Sequence, residues 1–409
     1  MSKYNFDESA PDRRRSGSYK WDSPAPGIGS ADNIIPLWVA DMDFRTAPCI
    51  VDALQSRVAH GVFGYTYVGD DYYEALAGWF RRRHGYEIDR SKVIYTSGVV
   101  PAISAIIKAL TRPGEGVIVQ TPVYNCFFSS IRNNGCRIVE APLKYVSDGA
   151  GFSYIPDLDK LRAVASDPSV TMLLLCNPHN PAGRVWSRDE LMAIAGICSE
   201  NDVIVVSDEI HCDLTMPGYE FTSFAALPSE YSSRAIVCNS PSKAFNIAGL
   251  QIANIICGNE MQRSLVDRAI NDNEVCDVNP FGVAALIAAY TQGEEWLGEL
   301  TAYIESNYKE LVAFAGIVIP WMRIARLEAT YLVWADVRCL GIDADALEEI
   351  LVREAGVWVN SGTMYGQNGF IRINIACPRE LLKLALAKIA PVLNAMYRAA
   401  HDNPASACR

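Results

Sequence analysis

What the sequence withholds narrows its function before any motif is read. No apolar run approaches the roughly 20 residues that a membrane-spanning helix needs; the strongest, Met172-Leu173-Leu174-Leu175-Cys176, has the length of a strand. None of the 12 cysteines stands in a Cys-x-x-Cys pair, so neither a metal site nor a disulfide framework is indicated, and reduced thiols in the cytosol are the simplest account. A Lys/Arg-rich stripe is missing too, and the formal charge of -11 argues against nucleic acid or an anionic membrane as the main partner. The short run Arg13-Arg14-Arg15 reads as a docking or solvated segment. Met1-Ser2-Lys3-Tyr4-Asn5-Phe6-Asp7-Glu8 has neither the basic start nor the apolar stretch of an export signal. A cytoplasmic protein is therefore expected. Internal repeats and low-complexity linkers are likewise absent from the pattern.

What is present is the composition of a globular enzyme: 409 residues, 50% hydrophobic and 20% charged. A chain of that length is too long for one small core and is expected to form a large and a smaller domain that share an active site. Short apolar runs alternate with longer amphipathic stretches from about residue 90 to 260. Strands are expected at 93–95, 117–121, 137–142, 171–177, 203–207, 235–239 and 252–257, with helices such as 100–110 and 188–200, the latter capped by Ser187. The near-continuous apolar character of these strands implies an α/β fold with a mainly parallel sheet covered on both faces. A second alternation, strand 330–337, helix 344–355, strand 370–376 and helix 379–400, predicts a smaller α/β domain. The expected division is an N-terminal arm with part of the small domain at 1–48, a large domain at 49–290 and a C-terminal small domain at 291–409.

In open α/β sheets ligands bind beyond the carboxyl ends of the strands. Polar clusters follow the strands here: Thr96-Ser97-Gly98-Val99, Asn177-Pro178-His179-Asn180-Pro181, Ser207-Asp208-Glu209-Ile210-His211 and Ser240-Pro241-Ser242-Lys243. Any one of them could be ordinary turn chemistry. Their order and spacing together are hard to assign to packing.

With Leu37-Trp38-Val39-Ala40-Asp41-Met42-Asp43-Phe44, His60-Gly61-Val62-Phe63-Gly64-Tyr65 and Arg372-Ile373-Asn374-Ile375-Ala376-Cys377-Pro378, these clusters make the chain resemble the fold-type I enzymes that use pyridoxal 5'-phosphate (PLP), and within them the MalY/PatB-type cystathionine β-lyase (carbon-sulfur lyase) group. The matching stretches extend over almost the whole chain. The resemblance implies a seven-stranded large domain that binds PLP and a smaller α/β domain.

It also implies roles for particular residues. Lys243 would hold the cofactor as a Schiff base and later move the substrate α-proton, work suited to a buried lysine that can lose its charge. Asp208 would pair with the pyridinium nitrogen, with His211 orienting it or lying near the ring. Asn180 would donate to the cofactor O3′, and the flanking prolines leave it free to point inward. Tyr124 would stack on the ring and border the substrate. For the phosphate, Gly98 and Val99 would offer free N–H groups at a helix start, and Ser240 and Ser242 their hydroxyls. Tyr65 would reach a neighbouring subunit's phosphate, which requires a homodimer. Arg372 would grip the substrate α-carboxylate with its planar fork.

Two positions depart from many aminotransferases of this fold, which have Tyr at position 211 and Arg at position 251. Here they are His211 and Gln251, and a neutral amide cannot replace a charge-assisted phosphate contact. The expected activity is β-elimination from a sulfur-substituted amino acid, cystathionine or a cysteine S-conjugate, giving a thiol, pyruvate and ammonia. An aminotransferase, a secondary-metabolite carbon-sulfur lyase and a regulatory binding protein remain alternatives on the same scaffold. No motif identifies the sulfur substituent; 328–331 is the segment expected to approach its pocket.

Overall fold

In the computed structural model, residues 3–8, 11–147, 149, 151–272, 274 and 277–401 are described. The seven strand segments expected between residues 93 and 257 all become strands of one sheet, in spatial order Val93–Thr96, Ala253–Cys257, Ile236–Asn239, Ile204–Asp208, Val170–Cys176, Gly116–Val119 and Arg137–Glu140. Only Ala253–Cys257 runs against its neighbours; the remaining pairings are parallel. The central strands are buried almost throughout, as a sheet covered on both faces requires. The helix Val99–Leu110 packs on one face with Ala102, Ile103, Ile106 and Ile107 inward, an i, i+1, i+4, i+5 stripe. On the other face lie Arg188–Glu200, Asp70–His84 and Pro280–Gln292, around Trp79, Trp186 and Tyr290. Ser187 does cap its helix, closing a reciprocal capping box with Glu190.

A second, six-stranded sheet has the order Asn360–Ser361, Phe370–Asn374, Leu332–Asp336, Arg323–Ala325, Gly151–Ile155 and Lys144–Ser147. Its last two strands come from a hairpin that leaves the large sheet after Arg137–Glu140 and pairs in parallel with Arg323–Ala325. That hairpin was not expected from the sequence. The N-terminal segment meets the same part of the molecule: Ile35–Pro36 pairs with Val357–Trp358, and Asn374 N donates to Leu37 O. Two boundaries shift for backbone reasons. The strand expected from 330 begins at Leu332 because Thr330 has φ 73°, a left-handed conformation costly for a β-branched residue. The helix expected over 344–355 is α-helical only to Ile350 and closes with the π-turn Leu351–Ala355 before Gly356 at φ 63°.

Among the described residues no helix is long and apolar enough to cross a membrane, and the described cysteines are all free.

Candidate active site

The carboxyl ends of adjacent parallel strands bring the sequence clusters together. Cys176 and Asp208 are register partners at the ends of Val170–Cys176 and Ile204–Asp208, and Ile236–Asn239 leads into the loop that carries Lys243. Val99, Tyr124, Asn180, Asp208, His211 and Lys243 line one cleft with Ala40, Val100, Cys176 and Ile210. Gly98 caps the helix whose first residue is Val99, so that helix start faces the cleft. Arg372 reaches in from the middle of Phe370–Asn374 and donates to Asn180 Oδ1 at 3.2 Å.

Burial controls the chemistry of these groups. Asp208 is buried and accepts a hydrogen bond from Ile210 N at 3.1 Å; desolvation pushes its carboxyl up to about 7, against the opposing effects of that bond and of Lys243. His211 is buried with its Nδ1 unpartnered, and desolvation lowers it to about 3, with Lys243 and Arg372 acting in the same direction. It is therefore a neutral imidazole at physiological pH. Lys243 is partly buried and donates from Nζ to Ala40 O at 2.7 Å; desolvation, then the Arg372 cation, lowers its pKa. Glu209, between Asp208 and Ile210, points away and is consumed by Ser207, Ser223 and the Phe224 amide.

Arg372 is buried against the Tyr365 ring, 4.7 Å from its centroid, and donates from Nη2 to Trp38 O at 2.9 Å. Its Nε has no partner, and none of the ion pairs among the described residues includes it. Ser240 gives its proton to Ile252 O at 2.6 Å and receives Ser242 N at 3.0 Å, so it shapes the loop that presents Ser242 and Lys243. One expected residue, Tyr65, and the departing position Gln251 lie apart from the cleft in a single chain. Tyr65 is 97% exposed, and Gln251 is an exposed residue at φ 53° after the short turn Ala248–Leu250.

Sequence reasoning singled out 37–44 as a motif without giving it work. The structure shows why it matters: the backbone carbonyls of Trp38 and Ala40 receive Arg372 and Lys243. Tyr331 also donates to Ala40 O, at 3.0 Å, with its ring 6.2 Å from His211. Its neighbour Glu328 does not face the cleft, because Arg184 Nε and Val185 N hold its carboxylate at 2.8 and 2.9 Å. Behind the site, Asp213 accepts from Trp79 and His84 and lies 3.6 Å from Arg83, which accounts for its charge.

These residues fit a flat cofactor with a cationic ring nitrogen and an anionic tail. Among the described residues, a buried acid without a cationic hydrogen-bond partner, an unpartnered imidazole nitrogen and a helix start surround one slot.

Residues 32–389 match the model of the aminotransferase class I and II family, and the chain belongs to that family. It is 39% identical to cystathionine beta-lyase PatB of Bacillus subtilis over 95% of this chain and 100% of that one. Cystalysin from Treponema denticola, whose crystal structure contains pyridoxal 5'-phosphate, superposes with a TM-score of 0.91 at 35% identity, covering 96% of this chain and 99% of that one. The PLP-bound C-S lyase from Staphylococcus hominis superposes at 0.87 with 34% identity, covering 95% and 99%.

Proposed function

We propose that this protein is a PLP-dependent carbon-sulfur β-lyase acting on cystathionine or another cysteine S-conjugate and releasing a thiol, pyruvate and ammonia. The observation that carries the reading is the meeting, in one cleft, of a lysine of lowered basicity, a buried acid and a buried arginine without a carboxylate partner, in a chain similar along nearly its full length to named lyases.

Asp208 would pair with the cofactor's ring nitrogen, Lys243 would bind it covalently, and Tyr124 and Asn180 would contact it in the cleft they line. Gly98 and Val99 would give N–H groups to the phosphate, with Ser242 on the loop that Ser240 braces. When bound, PLP supplies an electron sink for the pair left at the substrate Cα. Arg372 holds the α-carboxylate, which fixes the Cα–H bond relative to Lys243. The Lys243 amine takes the α-proton at Nζ, a role that its lowered pKa favours near neutral pH. The β C–S bond then breaks, the sulfur leaves as thiolate and takes up a proton, and hydrolysis of the remaining enamine gives pyruvate and ammonia. His211, neutral in its buried position, stands beside Asp208 without adding charge.

A homodimer completes this reading. Val62, Phe63, Tyr65 and Tyr67 are all exposed in one loop, an apolar run suited to a second copy, and Tyr65 would serve that copy's phosphate. The free cysteines suit a reducing, cytoplasmic setting.

Lyase and aminotransferase share α-proton removal and differ afterwards. With L-cystathionine and no keto acid, many turnovers should yield pyruvate, ammonia and homocysteine in equal amounts. Catalysis that stops after one turnover and resumes only when a keto acid is added would establish transamination instead.

A further inference from the structure

Every backbone carbonyl from Trp38 to Met42 is held by a side chain. Arg372 takes Trp38 O, Asn374 takes Val39 O and Asp41 O, Lys243 takes Ala40 O, and Asn246 takes Met42 O. This stretch is thus the template on which the two basic side chains of the cleft rest. Its own anchor is the N-terminal segment. Arg13 donates in a bidentate fork to Asp41, with Nη2–Oδ2 2.5 Å and Nη1–Oδ1 3.0 Å, and also reaches Met42 O at 3.0 Å and Asp43 Oδ1 at 2.9 Å. Lys20, fully buried, closes the cluster on Asp43 Oδ2 at 2.7 Å and stands 3.6 Å from Asp41 Oδ1. Of the basic run, only Arg13 docks this way: Arg14 lies over the Trp21 ring near Asp12.

We propose that Arg13 is a positioning residue for Lys243: by bracing and neutralising Asp41, it holds the Ala40 carbonyl against the lysine amine and limits how much of the Asp41 charge that amine feels. The proposal rests on Lys243 being the cofactor lysine. A fork to a carboxylate fixes direction as well as distance, and Asp41 adjoins the residue whose carbonyl receives Nζ.

The groups that face Lys243 set the sign of the effect. Arg372 opposes positive charge on Nζ; Asp41, Asp208 and Cys126 favour it; Tyr124 and His211 share the cleft, and Tyr331 shares the Ala40 carbonyl. Removing the Arg13 charge leaves Asp41 less compensated, so Nζ should hold a proton to higher pH.

The test is a pH titration of the bound cofactor's visible absorbance in the purified PLP-loaded enzyme, which reports the protonation of the nitrogen contributed by Lys243. Arg13→Gln should move the midpoint up by about half a unit, a modest shift because Arg13 and Asp41 are partly solvated, and Arg13→Lys should restore most of it. Asp41→Asn should move the midpoint down. Arg14→Gln should leave midpoint and activity unchanged. A purely structural role for the cluster predicts shifts of one sign, or none, for Arg13→Gln and Asp41→Asn. An unmoved midpoint in Arg13→Gln overturns the proposal; should that variant fold poorly, an unmoved or raised midpoint in Asp41→Asn overturns it alone. Failure of the underlying assignment has a separate signature, the cofactor mapped to a lysine other than Lys243 in the unmodified enzyme.

Discussion

Replacing Arg372 by alanine tests the substrate clamp and has a magnitude that follows from its surroundings. The side chain is 4% exposed, fixed by Trp38 O and Asn180 Oδ1 and stacked on Tyr365, so its guanidinium is already oriented before substrate arrives. Little rotamer entropy is then lost on binding. A charge-assisted hydrogen bond contributes about 1.5–3 kcal/mol, and a forked pair to one carboxylate about 3 kcal/mol or more. At about 1.4 kcal/mol per decade, kcat/KM for L-cystathionine should fall by roughly two orders of magnitude or more. The α-carboxylate is held in both ground and transition states, so the larger part of the loss should appear in KM. Pyruvate release coupled to lactate dehydrogenase measures it, with cofactor content measured on the same samples. Arg372→Lys should recover little, because an ammonium cannot present two fixed donors. A kcat/KM within about threefold of wild type in Arg372→Ala, far less than loss of one charged hydrogen bond, would refute the clamp.

Three further outcomes are expected. Borohydride treatment of the yellow enzyme should fix PLP covalently to Lys243, as read by peptide mass spectrometry, and Lys243→Ala should abolish turnover. Asp208→Asn should reduce turnover sharply yet stabilise the cofactor-free protein at pH 8: a carboxyl whose folded pKa is raised to about 7 favours folding below its unfolded pKa, and that contribution is lost as pH rises from about 4 through 7, so removing the acid should gain up to about 4 kcal/mol in denaturant titrations at pH 8 and nearly nothing at pH 4. Tyr65→Phe should weaken PLP retention while leaving the fold intact, and light scattering should find a dimer; a fully active monomer would rule out the shared site.

The large sheet was readable because its central strands are buried on both faces. Val170–Cys176 and Ile236–Asn239 stand out against amphipathic helices by length alone. The hairpin at 144–155 was not, because Lys144–Ser147 is largely exposed and its strand partner, Arg323–Ala325, is far away in the sequence. Side chains that meet in the cleft were legible where a motif ends a strand, as with Asp208 and Lys243. The acceptors that orient them were not, since Trp38 O and Ala40 O are backbone atoms that any residue could supply. Glu328 shows the converse: a carboxylate near the expected pocket was visible in the sequence, but its capture by Arg184 depends on two segments whose meeting no local pattern encodes.

The charge state of the cleft follows from one cause acting on opposite signs. Desolvation raises Asp208 and lowers Lys243, so each drifts toward neutrality, while Arg372 keeps its charge and points it at the site. A cationic ring nitrogen beside Asp208 would restore the acid's ionised form, because an opposite charge at contact outweighs the burial that raised it. Lys243 has no comparable gain: Arg372, the largest charged influence on it, stays in place whether or not a cofactor is present, and Asp41 is already occupied by Arg13. Loading the cleft should therefore ionise the acid, while Arg372 continues to disfavour a proton on the Lys243 nitrogen, which suits the lysine to α-proton removal once substrate has released it. The sequence separates these residues widely, and the sheet ends, the strand Phe370–Asn374 and the 38–42 template bring them to one point.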